Sequence, residues 1–145
     1  ASLPSLEVLT QASREVSPLI TRVHAPDLPV KNRVLLLNFR KDGRETGRRL
    51  ADPLLSHAGL KAFSILVLYD ELIDLKNGSL ALWKAFNNVD PKRDLIRKDG
   101  RMVIDATKKG PEDGHLREWP DDIVMDPGVV EQVKRRANEL GIDFV

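Results

Sequence analysis

The 145-residue chain contains no cysteine, so disulfides and thiolate metal sites are excluded. It has no apolar run approaching the roughly 20 residues that cross a bilayer, and no signal-peptide pattern opens it. A cytoplasmic location is the expectation that follows. Charge of neither sign is in excess: 23 basic residues face 22 acidic ones, for a formal net charge of +1. A general nucleic-acid binder would show a clear basic surplus, so no nucleic-acid partner is expected. Neither G-x-G-x-x-G nor G-x-x-x-x-G-K-[ST] occurs, so the usual phosphate-cradling loops are missing. Internal repeats and low-complexity segments are also absent.

What is present suits one domain with a single core of ordinary size. Its centre is Phe63-Ser-Ile-Leu-Val-Leu-Tyr-Asp-Glu-Leu-Ile-Asp74. The short apolar run does not alternate with polar residues, so it predicts a strand covered on both faces. Asp70, Glu71 and Asp74 fall just past its carboxyl end, where open α/β sheets usually build their sites. The plainer reading is that these carboxylates solvate a turn and begin the next helix.

The flanking segments complete an α/β pattern. A helix is expected over residues 5–16, capped by Ser5 with Glu7 in its first turn, and stopped by Ser17-Pro18. Strands are expected over residues 19–24 and 30–39, antiparallel because the connection is short. A helix over residues 44–57 should bury Leu50, Leu54, Leu55 and Ala58, bend at Pro53 and stop at Gly59. The strand–helix–strand span makes the second strand parallel to the central one. Asn77-Gly-Ser79 caps a helix over residues 80–87, whose Leu82, Trp83 and Phe86 share a face read as core. Asp90-Pro-Lys-Arg-Asp94 reads as a polar turn, and Met102-Val-Ile104 as a short strand. Residues 105–125 read as irregular, with Gly110-Pro111 and Trp119-Pro120 as breakers. The last helix, over residues 127–140, has Asp126 as cap, Pro127 in first position and Gly141 as stop. Its stripe of Val130, Val133, Ala137 and Leu140, with Ile142 and Phe144 beyond, predicts a subunit or domain contact.

Self-contained chemistry is thin. Gly43-x-x-x-Gly47 before Arg48 and Arg49 is a faint anion site at a helix start, against the plainer reading of solvated basic residues. His24, His57 and His115 have no ligand spacing, and no serine lies in a nucleophile elbow. Trp119 is expected to anchor the irregular segment on the core, and Arg117 to bond Asp105.

Several motifs nevertheless fall in a telling order. Ile104-Asp-Ala-Thr-Lys-Lys109 is followed by Arg117-Glu-Trp119 and by Asp126-Pro127 opening the last helix. Before them stand Leu36-Asn-Phe-Arg-Lys41, the central strand with Asp70-Glu-Leu-Ile-Asp74, Ala81-Leu-Trp83, and Asn88-Val-Asp-Pro-Lys-Arg-Asp94. Together they resemble the C-terminal region of UbiD-type carboxy-lyases, in order, from about Leu6 to Ile142.

That resemblance implies an α/β fold with a mixed, largely parallel sheet flanked by helices. It implies that residues 1–145 are one domain of a longer chain, and Leu3-Pro-Ser5 suits a domain border. Family members decarboxylate aromatic or unsaturated acids with prenylated FMN, as in ubiquinone or menaquinone biosynthesis. Their catalytic residues, and the ligands of the divalent metal that bridges the cofactor phosphate, lie in the preceding flavin-binding domain. No catalytic or metal-binding residue is therefore assigned here, and the isolated chain is expected to be inactive and to hold no cofactor. Its implied partners are that domain and further copies in a homo-oligomer. Peripheral membrane association of the full enzyme, through a quinone-precursor substrate, is a further implication.

Two departures from the pattern matter. The family's long loop before I-D-A-T is reduced to Leu95-Ile-Arg-Lys-Asp-Gly-Arg101. Either the substrate pocket is more open, or a different acid is treated. The family's lysine ahead of the central strand, which approaches the cofactor phosphate, aligns with Ser64; Lys61, three residues earlier, is the substitute cofactor-binding candidate. The rival reading is a stand-alone binding or assembly module with this fold and no lyase activity. A nucleotide-binding domain is a third reading, disfavoured by the missing glycine fingerprint.

Overall fold

The structure, a computed structural model, describes residues 3–29 and 33–142. The element order is α1 (Leu6–Val16), β1 (Ile20–His24), β2 (Val34–Phe39), α2 (Gly47–Ser56), a 3-10 turn (Ala58–Leu60) and β3 (Ile65–Asp70). Next come α3 (Gly78–Asn88), α4 (Pro91–Asp94), β4 (Leu95–Lys98), β5 (Arg101–Asp105), a second 3-10 turn (Pro111–Asp113), α5 (Pro127–Arg135) and α6 (Ala137–Leu140). The strands form one sheet in the order β1-β2-β3-β5-β4. Its three central strands are parallel, while β1 and β4 are antiparallel to their neighbours.

Alternation along the central strands feeds two cores. Leu35, Leu37 and Phe39 of β2, Leu66 and Leu68 of β3, and Val103 of β5 face α1 and α2, where Leu9, Leu50 and Leu54 meet them. Leu36, Val67 and Tyr69 face the other way, toward Leu75 and Ala81. A strand with both faces covered needs an unbroken apolar run, and Ile65–Asp70 has one. The α/β expectation holds, as do the antiparallel β1–β2 pair and the parallel β2–β3 crossover.

Helix ends largely follow their caps. The Ser5 hydroxyl accepts from Val8 N–H, the Asn77 side chain from Leu80 N–H, and the Asp126 carboxylate from Gly128 and Val129 N–H. Helix α2 differs from expectation. Thr46 caps it by accepting from Arg49 N–H, and the helix runs through Pro53 and ends before His57. Gly59 sits inside the 3-10 turn rather than stopping the helix. The segment ahead of β5 is also more ordered than a remnant loop. Leu95 to Lys98 pairs with β5 across the Asp99-Gly100 turn, whose φ values are 51° and 74°. Two consecutive left-handed residues make a tight hairpin, and an Asp-Gly pair suits them.

The largest correction concerns α3. Leu82, Trp83 and Phe86 are not core; they are 61%, 45% and 85% exposed. The buried face carries Ala81, Lys84 and Asn88 instead. A lysine and an asparagine can occupy it because both are partnered: Lys84 Nζ donates to Asp122, and Asn88 donates to the Ala106 carbonyl.

The last helix is split. Arg136, with φ −97° and ψ 8°, separates α5 from α6, and Gly141 ends α6 in the left-handed region. No residue of α5 or α6 is buried. Val130, Val133 and Ala137 are half-buried, whereas Val129, Leu140 and Ile142 are exposed. Phe144, and Val30 at the expected start of β2, lie outside the described residues.

Candidate functional site

The carboxyl ends of β2, β3 and β5 gather most of the buried charge. β5 delivers Asp105, and the next turn delivers Thr107, Lys108 and Lys109. Lys109 is 3% exposed. Its ammonium donates to the carbonyls of Asp105 at 2.9 Å and Thr107 at 2.5 Å. It also lies 3.5 Å from the Asp105 carboxylate and 3.7 Å from that of Asp94. A buried ammonium requires such surroundings, because desolvation of an unpaired charge is prohibitive.

Asp94 is held from several sides. Arg93 grips it in a fork, Nε to Oδ1 at 2.7 Å and Nη2 to Oδ2 at 2.8 Å, and Asp90 N–H donates to Oδ2 at 2.8 Å. The fork pushes the guanidinium pKa above its ordinary value. Asp105 accepts from the Thr107 hydroxyl at 2.6 Å and from Thr107 N–H at 3.1 Å. The Asp90-Pro-Lys-Arg-Asp94 and Ile104-Asp-Ala-Thr-Lys-Lys109 segments are thus one ion network, joined across space at Lys109.

The network reaches α2 through Gly47. A Cβ there would lie 2.3 Å from Asp105 Oδ2, so only glycine fits. The anion beside this helix start is the chain's own Asp105 carboxylate, which supplies the favourable charge expected there. The adjoining cleft, of about 360 Å³, is lined by Arg48, Arg49 and Arg93 on one side and Glu112 and Asp113 on the other. Arg48 and Arg49 are themselves engaged, with the carbonyls of Arg93 and Arg44.

At the end of β2, Lys41 bonds Asp113, Glu112 at 3.2 Å and the Lys108 carbonyl at 2.9 Å. Burial pulls its pKa down, but the two carboxylates outweigh that and leave it above the usual lysine value. Asp70 accepts from Lys108 N–H at 3.0 Å, and burial drives its carboxyl pKa up against that bond and the nearby Lys41. Asp74 caps its own turn by accepting from Lys76 N–H, and Glu71 contributes a backbone carbonyl to Arg22. The Asp70 and Asp74 carboxylates are therefore network and turn members.

Arg117 does not reach Asp105, whose carboxylate is already occupied; Arg117 and Glu118 are exposed. Trp119 is half-buried rather than anchored in the core, with its ring 5.1 Å from His115 and tilted by 60°. The segment is fixed instead by Asp122, which bonds buried Lys84 at 2.5 Å; that bond holds its pKa low. Neither Lys84 nor Asp122 stands out in sequence, because a buried lysine looks like any helix lysine until its partner is known.

Lys61 lies elsewhere. It follows the 3-10 turn ahead of β3, at the amino ends of the parallel strands, and its side chain is exposed. Among the described residues, no group of three His, Cys, Asp or Glu side chains is arranged to hold a metal ion. Among them, too, no helix is long and apolar enough to cross a membrane.

Lys109→Met removes the cation shared by Asp94 and Asp105, and should cost about 3–5 kcal/mol through the uncompensated charges it leaves. Urea unfolding of the variant checks this; an unchanged midpoint would contradict the network's role. Asp70→Asn should act in the opposite sense. Its folded-state pKa is raised, so ionisation opposes folding as pH rises through and above the carboxyl range. The amide keeps an acceptor for Lys108 N–H and removes the charge. The variant should melt higher than the parent at pH 7, with the gain fading as pH falls toward about 4 and gone below it, where the parent's Asp70 is protonated both folded and unfolded.

Comparison with known proteins agrees with this architecture. The family model for the 3-octaprenyl-4-hydroxybenzoate carboxy-lyase C-terminal domain matches residues 2–115. An uncharacterized protein of Aquifex aeolicus is 37% identical over 94 residues, covering 54% of this chain and 19% of the relative. One from Helicobacter pylori J99 is 41% identical over 64 residues, covering 44% and 10%. Among solved structures, an evolved dimeric form of the UbiD-class enzyme HmfF from Pelotomaculum thermopropionicum, in complex with prFMN, superposes with a TM-score of 0.67. It shares 20% identity, over 87% of this chain and 28% of that one. Sedimentibacter hydroxybenzoicus vanillic acid decarboxylase in open form gives 0.62 and 22%, over 91% and 31%. The chain thus spans less than a third of each of these proteins. With the family model matching well over half of its length, the chain belongs to the UbiD C-terminal domain family.

Proposed function

We propose that this chain is the C-terminal, non-catalytic domain of a longer UbiD-like carboxy-lyase, where it packs against a flavin-binding domain, walls the substrate pocket and contributes subunit contacts. The observation that carries the reading is the fate of its buried charges. Lys41, Lys84, Asp94, Asp105 and Lys109 are engaged in internal pairs that hold elements together. The small share of each relative that the chain covers supports a partner domain. In this reading residues 1–145 are a single domain, and the whole protein is a cytoplasmic decarboxylase of an aromatic or unsaturated acid, in quinone biosynthesis if its substrate is a quinone precursor.

Prenylated FMN is the proposed cofactor of the whole enzyme, where it supplies the electron-accepting ring for decarboxylation. Lys61 is the residue of this chain proposed to meet its phosphate. An exposed ammonium suits a phosphate brought by another domain. A divalent metal is left to that other domain, and no step is routed through it here.

The chain alone, supplied with prenylated FMN and an aromatic acid, should release no CO2, while joining it to the flavin-binding region should restore turnover. CO2 release by the chain alone would overturn the reading. The subunit-contact part has its own test. No residue of α5 or α6 is fully buried, and Val129 and Leu140 are exposed. An apolar stripe that its own core leaves uncovered calls for another surface, and identical chains most often pair about a two-fold axis. Light scattering should give a dimer for the intact chain and a monomer for a version ending at Asp126; a monomer in both cases would remove the contact.

A further inference from the structure

Lys84 is a buried lysine whose counter-charge comes from a surface segment. Its side chain is 4% exposed, while that of its partner Asp122 is 43% exposed. Lys84 Nζ donates to Asp122 Oδ1 at 2.5 Å, and Lys108 Nζ lies 3.5 Å from the same oxygen. Two ammonium groups, one from α3 and one from the turn after β5, therefore converge on one point. Beside that point lies a cleft of about 230 Å³, lined by Trp83, Lys84, Trp119, Asp122 and Ile123 among others. Trp83 and Trp119 are the chain's two tryptophans. Lys84 Nζ sits 5.1 Å from the centre of the Trp83 ring.

The two halves of this arrangement differ in how firmly they are held. Lys84 belongs to the buried face of α3, with Ala81 and Asn88. Asp122 belongs to residues 116–125, which form neither helix nor strand and carry exposed Leu116, Ile123, Val124 and Met125. Among the described residues, no backbone–backbone hydrogen bond ties that segment down, and its side-chain hold on α3 and the Lys108 turn is Asp122. Segments with few buried contacts and no ladder open at low cost. The lysine cannot follow, because a buried ammonium left unpaired is strongly destabilising. The place that Asp122 vacates therefore calls for another anion. Its present occupant is a carboxylate, and the two indoles beside it suit an apolar body attached to one. The cleft is smaller than the roughly 300 Å³ at which drug-sized pockets begin, so a small molecule fits it.

We propose that Lys84 and Lys108 form a binding site for a small carboxylic acid with a flat apolar body, and that Asp122 is the internal carboxylate that fills the site in its absence. The ligand's carboxylate takes the place of Asp122 between the two ammonium groups, and its body lies in the cleft against the indoles. The site does not rest on the lyase reading, so its failure would leave that reading standing.

The test uses the intact chain, sodium benzoate as the probe and the emission of the two tryptophans as the readout. Benzoate should change the emission saturably. Asp122→Ala, which removes the internal competitor, should bind it about tenfold more tightly than the parent or better, the worth of one charge-assisted hydrogen bond. In that background Lys108→Met, at a partly exposed position, should weaken binding about tenfold, and Lys84→Met should abolish saturation. Far-UV circular dichroism checks that each variant is folded. If Asp122→Ala is not, Asp122→Asn keeps an acceptor for Lys84, removes the competing charge and should shift the affinity in the same direction. Equal affinity of the parent and the folded Asp122 variant would overturn the role of Asp122. No saturable change in that variant, or binding that survives both lysine substitutions, would overturn the site. Sodium chloride at the same ionic strength should have no effect. Acetate or phosphate binding as tightly as benzoate would overturn the assignment to an apolar carboxylic acid.

Discussion

A single buried ammonium, that of Lys109, decides how the carboxyl-end half of this domain is put together. Lys109 lies between two carboxylates, Asp94 from the short helix before the hairpin and Asp105 from the end of β5. Remove the charge and both acids face a low-dielectric interior with reduced compensation. Asp105 in turn fills the space beside Gly47, so the start of α2 is shaped by the same group. Arg93 clamps Asp94 from outside. Three segments separated in sequence are therefore registered by electrostatics and hydrogen bonds, while the two apolar cores hold the rest of the sheet. Such a network is weak evidence for stability but specific in geometry.

Much of the architecture was legible because local chemistry and tertiary packing agree. The apolar run at Ile65–Asp70 has no alternation, and the strand is covered on both faces. Ser5, Asn77 and Asp126 cap helices as their side-chain chemistry dictates. The exceptions lie on α2 and α3. On α3 the larger apolar residues predict the inward face, but Lys84 and Asn88 face inward because partners far along the chain satisfy them. Pro53 predicts a bend and Gly59 a stop, yet α2 passes one and ends before the other. On α3 tertiary contacts override the local pattern. The hairpin turn at Asp99-Gly100 was legible in principle, since that dipeptide suits two left-handed residues, but so short a segment lacked strand periodicity.

The candidate site was legible as a set of motifs and not as a geometry. The order of the signature segments pointed to the family, and the family model agrees. That two of those segments form one charge network could not be read from spacing, because Asp94 and Lys109 meet only after the hairpin folds between them. Asp70 likewise sits at the expected end of the central strand, but its neighbours make it a partner of the Lys108 backbone.

The sheet's two borders limit how the domain can join anything else. Both outermost strands run antiparallel to their neighbours and are short, five residues in β1 and four in β4. β1 carries an irregularity between Ile20 and Arg22, and β4 ends in exposed Arg97 and Lys98. Bulges and border cations of this kind discourage a foreign strand from extending a ladder. Growth of the sheet into a continuous intermolecular one is disfavoured at either side. Association must instead use side-chain surfaces, the outward face of α3 and the stripes of α5 and α6 among them, so specificity rests on shape and not on generic backbone pairing.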